Sequence, residues 1–206
     1  MTDMKLVNTA FHQVRQELCE VGLLADGQYL DAIELIVHPI PSLGEAGFVF
    51  DESVPWYGKI FGYDEGVIYL PSNTPHQLYV PGGTLVDTIR HEFAHAWFWR
   101  DPEFISQPWF TRTFGMPYIN KWEFGYKAYK LFRSYPDEWE GSPYFMDFVS
   151  DYAISAPYED FAETFMTCLR YRNSLDRFRS RPGVFKKVTA VRKAIDQTAQ
   201  KLGLVA

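Results

Sequence analysis

The 206-residue sequence is poor in cysteine, in histidine and in long apolar runs. Its two cysteines, Cys19 and Cys168, form no CxxC, so neither a disulfide framework nor a thiolate zinc site can be built. No apolar run approaches the roughly 18 residues a membrane-spanning helix needs, so no membrane partner is expected. The opening Met1-Thr2-Asp3-Met4-Lys5-Leu6 lacks the basic and apolar regions of a secretory signal. Together these absences set the expectation of a cytoplasmic, reducing compartment. No GxGxxG, Walker lysine or GxSxG pattern is present, so nucleotide binding and serine-hydrolase chemistry have no support. Internal repeats and low-complexity stretches are also lacking.

Apolar residues make up 47% of the chain and aromatics 17%, against 22% charged. That balance describes a folded domain able to bury its own core. The formal net charge of -6 is unevenly spread. Residues 1–100 hold 5 basic and 13 acidic side chains, whereas Arg170 to Lys201 hold 10 basic and 2 acidic. The basic stretch reads as an anion-binding face or as the solvated side of a terminal helix. The second reading is preferred, because the acidic whole has no general affinity for phosphates, and no nucleic-acid partner is expected.

Apolar residues at Val7, Phe11, Val14, Leu18 and Val21 mark one face of a helix, ended by Ala25-Asp26-Gly27. Extended segments are expected at Ala32–Val37, Gly47–Phe50 and Gly66–Leu70, giving a small, largely antiparallel sheet. A loop follows at Pro71-Ser72-Asn73-Thr74-Pro75. After Pro81-Gly82-Gly83, Thr84 with Asp87 forms a capping box for a helix that runs to Arg100 and stops before Asp101-Pro102. Asn120 and Glu123 suggest another box and a helix near 121–133. Pro157 suits the first position of a helix reaching about 171. Val184, Val188, Val191, Ile195 and Leu202 mark a final helical face. Cys168 and Cys19 both read as small core residues.

The sharpest chemical signal is His91-Glu92-Phe93-Ala94-His95. Histidines four apart share one helix face and can hold one zinc ion. Glu92, about 100° away around the axis, can serve as general base toward water whose pKa zinc has lowered. The flanking Ile89, Ala96, Trp97, Phe98 and Trp99 make this a buried helix, where charged groups need partners. A third protein ligand is required, and His12, His38 and His76 recur at no ligand-like spacing. Glu159 and Glu163, four apart on the helix opened by Pro157, place two carboxylates on one face. That arrangement disfavours an isolated helix and asks for a cation. Zinc on Glu159, with a ligand histidine donating to Glu163, would satisfy both. An acidic first turn favoured by the helix dipole, with Asp160 in support, is the plainer alternative.

The HExxH with Tyr152, six residues, Glu159 and Glu163 resembles the gluzincin zinc metallopeptidases. The stretch Tyr152-Ala153 through Pro157-Tyr158-Glu159-Asp160-Phe161-Ala162-Glu163 is similar to the anthrax lethal factor catalytic domain and the Pro-Pro endopeptidases. It is also similar to a bacterial family of zinc-binding metallopeptidases. The resemblance covers residues 91–95 and 152–165. It implies one zinc ion per chain held by His91, His95 and Glu159, with Glu92 as base and Glu163 orienting a histidine ligand, His91. It implies that Tyr152 hydrogen-bonds the oxyanion. The 63 residues between His95 and Glu159 exceed the spacing in lethal factor-like enzymes, which makes 101–151 an insertion. This insertion contains Trp109, Trp122 and Trp139.

The expected fold is therefore a single zincin-like α+β domain over 1–206. Residues 1–100 hold a helix, the sheet and the HExxH helix, and 101–151 the insertion. Residues 152–206 hold the third-ligand helix and a C-terminal helix. By analogy with the group, the strand Gly66, Val67, Ile68, Tyr69 and Leu70 is nominated as the edge that binds substrate by strand addition. The expected activity is zinc-dependent hydrolysis of peptide bonds, of the endopeptidase type, on a peptide or protein substrate. A catalytically silent zinc-fold binding or regulatory module, or an amidase for a non-protein amide, would use the same residues.

Overall fold

The computed structural model describes residues 4–25, 28–38, 47–49, 66–71, 83–115 and 144–204. The predicted helix at 121–133, the Asn120–Glu123 box, Trp122, Trp139, His76 and the loop after Pro71 lie outside them. The fold is α+β, mostly helical with a small mixed sheet. The chain divides into two compact units, Met1–Arg100 with Thr198–Ala206 and Asp101–Gln197.

In the first unit, α1 (Met4–Glu20) buries Val7, Val14 and Leu18 of the predicted face and leaves Phe11 half-buried, while Ala10 is buried beside them. It ends earlier than expected. Gly22 adopts φ 74°, its N–H donates to Cys19 O at 3.0 Å, and the Leu23 N–H donates to Leu18 O at 2.9 Å. This pair of bonds closes the helix with a glycine in the left-handed region, well before Asp26-Gly27. Cys19 lies off the buried face and is exposed, which corrects its reading as a core residue.

A short ladder joins β1 (Leu24–Ala25) to β2 (Gln28–Tyr29), and a 3-10 turn follows at Leu30–Ala32. The main sheet comprises β3 (Glu34–His38), β4 (Gly47–Val49) and β5 (Val67–Pro71), in the order β3-β5-β4. The expectation of a largely antiparallel sheet is corrected. The longer pairing, Glu34↔Val67 through His38↔Pro71, is parallel, and only β4 runs antiparallel to β5. The nomination of Gly66–Leu70 as a substrate-binding edge is also overturned. Val67, Ile68 and Tyr69 are paired on both sides, so β5 has no free edge there. Its sequence fits this place, since Val67, Ile68 and Leu70 are all buried, as in strands covered on both faces. Gly66 enters β5 at φ 89° beneath Trp99, whose ring would lie 3.2 Å from an added Cβ.

Helix α2 (Leu85–Arg100) follows. Its capping box forms as predicted, with Thr84 N–H donating to Asp87 Oδ2 at 3.1 Å and Asp87 N–H to Thr84 Oγ1 at 3.2 Å. Every residue from Asp87 to Phe98 is buried, so the helix is covered all round. It packs on α1, where the Phe11 and Phe93 rings stack with centroids 5.8 Å apart.

The second unit contains α3 (Pro102–Ile105), α4 (Pro108–Phe114) and a 3-10 turn at Tyr152–Ile154. It continues with α5 (Pro157–Arg170), a 3-10 turn at Leu175–Phe178 and, as far as Gln197, α6 (Pro182–Lys201). Pro157 opens α5 as expected. Phe110 and Phe114 of α4 pack on Phe161 of α5 at centroid distances of 5.5 and 5.8 Å. Val184, Val188, Val191 and Ile195 of α6 are fully buried, whereas Leu202 falls just past the helix end. Cys168 is buried in α5, and burial pushes its thiol pKa up to about 12. No helix among the described residues is long and apolar enough to cross a membrane.

Candidate metal centre

Helix α2 presents two imidazoles one turn apart. His91 and His95 are 7% and 9% exposed, and their Nε2 atoms stand 3.2 Å from each other. Two nitrogens so close share either one proton or one cation. Ligands about 2.0–2.1 Å from a tetrahedral zinc ion lie roughly 3.4 Å apart, so the observed spacing fits a common metal. Glu92, between them in sequence, is also buried.

A second set of charges is built into the same unit. Arg90 donates from Nε to Glu17 Oε2 at 2.7 Å and from Nη2 to Glu17 Oε1 at 2.6 Å. Its Nη1 donates to Asp87 Oδ1 at 2.6 Å. All three side chains are buried. Burial opposes the Arg90 charge, but the hydrogen bonds and charges of Glu17 and Asp87 outweigh it and raise the guanidinium pKa above its ordinary value. The network therefore runs from the α2 cap, through Asp87 and Arg90, which directly precedes His91, to Glu17 on α1.

In the second unit, Glu159 stands half-buried in the first turn of α5, and Glu163, one turn on, is completely buried. Ser150 Oγ donates to Glu163 Oε2 at 2.7 Å, and the Ala153 N–H donates to Ser150 Oγ at 3.1 Å. Ser150 thereby ties the 3-10 turn carrying Tyr152, itself half-buried, to the helix it packs against. Asp160, also in the first turn of α5, is fully buried and accepts from Lys187 Nζ of α6 at 2.6 Å.

His91, Glu92 and His95 thus come together on α2, and Tyr152, Glu159 and Glu163 occur within the second unit. Four supporting residues escape sequence reasoning: Glu17, Arg90, Ser150 and Lys187. A signal existed for two of them. Arg90 is a cation in an otherwise apolar helix, which demands a buried partner. Lys187 falls three residues after Val184 and four before Val191, on the apolar face of α6. It departs from the solvated-side reading of the basic stretch.

His91 and His95 supply two imidazoles at the spacing of ligands to one metal ion, and the second unit carries the carboxylates Glu159 and Glu163. The family model described as "Putative zinc-binding metallo-peptidase" matches residues 71–202. The match covers more than half of the chain, which belongs to this family. No curated protein and no solved structure matches it.

Proposed function

We propose that this protein is a zinc-dependent peptidase in which His91, His95 and Glu159 are the metal ligands and Glu92 is the general base. The observation that carries the reading is the 3.2 Å approach of two buried imidazole nitrogens on α2, in a member of a zinc-binding metallo-peptidase family. A bound zinc ion supplies Lewis acidity, polarising a carbonyl and making water acidic near neutral pH.

The chain's own groups do the rest. Glu92 takes a proton from the attacking water at a carboxylate oxygen and passes it to the leaving amine. Its burial keeps that carboxylate out of bulk solvent. The Tyr152 hydroxyl donates a hydrogen bond to the substrate carbonyl oxygen as negative charge grows there. Glu163, held by Ser150, is the carboxylate assigned to orient the ligand His91. The substrate is a peptide or protein.

The test is Glu92→Gln in the full chain, scored against a mixed peptide library. Hydrolysis should fall about 10²–10⁴-fold. Zinc content should stay at the wild-type level, because Glu92 is not a ligand. Undiminished cleavage by the variant would refute the assignment of the base.

A further inference from the structure

We infer that Lys187 is a positioning residue for Glu159, acting through Asp160; the inference rests on the peptidase reading given above. Asp160 directly follows Glu159 in the first turn of α5, and consecutive helical residues diverge by about 100° around the axis. Fixing the direction of one therefore fixes the other. Asp160 is fixed from one side by the Lys187 ammonium, 2.6 Å from Oδ2, with both side chains buried. Thr164 Oγ1, one turn on, stands 3.5 Å from Oδ1.

The ammonium is itself held in place. Lys187 Nζ lies 3.7 Å from the centroid of the Phe148 ring and 6.0 Å from that of Phe114. A cation over an aromatic face gains attraction while the ring excludes water. Lysine suits this position, since its compact point charge can meet one carboxylate and one ring face together. The helix start needs such support. Ala156, the residue at the N-cap of α5, makes no side-chain capping bond. The Lys187–Asp160 pair thus clamps the turn that bears Glu159 from within the core.

Three variants of the full chain test this, with zinc affinity measured by competition against a chromophoric chelator and thermal melting followed in parallel. Lys187→Met takes the ammonium from a buried carboxylate and will melt lower. The paired variant Asp160→Asn/Lys187→Met removes both charges, and its melting temperature should return to or above that of the wild type. Zinc should nonetheless bind about 10-fold or more weakly to it, the usual cost of losing a group that orients a ligand. Val191→Ala loosens the same helix without touching the pair, so it should melt lower and keep wild-type affinity. Wild-type affinity in the paired variant would overturn the inference and leave Lys187 as core architecture. An equal loss in Val191→Ala would overturn it in favour of general loosening. A wild-type protein that takes up no zinc would overturn the metal reading and this inference with it.

Discussion

Helices α2 and α5 each carry a buried charge beside a proposed ligand, and they neutralise it in opposite ways. On α2 the cation belongs to the ligand helix, and Arg90 meets two carboxylates, Glu17 and Asp87. On α5 the anion belongs to the ligand helix, and Asp160 meets the ammonium of Lys187. The first arrangement is a planar fork with two carboxylate partners, and its Asp87 also belongs to the capping box with Thr84. The second joins a carboxylate to a point charge across two helices. Losing one carboxylate leaves the α2 guanidinium the other, whereas losing Lys187 takes the ammonium from Asp160 outright, so α2 should be the more tolerant of losing a charged partner.

The largest expected effect follows from that difference. Lys187→Ala should lower the unfolding free energy by about 3–5 kcal/mol, because a fully buried carboxylate loses its cation. Glu17→Ala should cost less, about 2–3 kcal/mol, because Arg90 keeps Asp87. Urea unfolding of the two variants measures both. A reversed order would break the comparison.

Next come the helix starts. Thr84→Ala removes the side-chain cap of α2 and should cost about 1 kcal/mol in the same assay. Pro157→Ala at the start of α5 should cost about 0.5 kcal/mol, since proline there acts mainly by restricting the unfolded chain. A larger loss at Pro157 would show that α5 depends on its terminus more than on the Lys187 clamp.

The smallest effect concerns the cysteines, one in each unit. Cys19 is exposed and should react with a thiol reagent in the native protein near pH 8. Cys168 should react only after unfolding, since burial holds its pKa near 12. Its folded pKa lies above the ordinary value of 9.0, so its contribution to stability is intact below about pH 9 and declines as the pH rises toward 12. Two fast-reacting native thiols would contradict the burial of α5.

What could be read in the sequence was local in origin. The Thr84–Asp87 box, the stop at Asp101-Pro102, the start at Pro157 and the buried stripe of α6 all depend on residues within a turn or two of each other. The HExxH belongs to the same class, since helical geometry alone brings His91 and His95 together. The sheet was harder. Its strands lie close to their expected bounds, but their order depends on pairing between distant segments, and the analogy with the group misplaces β5 at an edge. The end of α1 was missed because Gly22 looked unremarkable beside the stronger Asp26-Gly27 signal. The support groups were hidden by distance, with Arg90 lying 73 residues from Glu17 and Lys187 lying 27 from Asp160. Neither spacing follows from a local rule.

The most direct test of the central claim is the metal content of protein purified without added zinc, measured by elemental analysis for the wild type, His95→Ala and Glu159→Ala. The account predicts about one zinc ion per wild-type chain and little in either variant, since three protein ligands are needed to hold it. A wild-type chain that holds no zinc even when the ion is supplied would contradict it, leaving His91 and His95 as core histidines that share a proton.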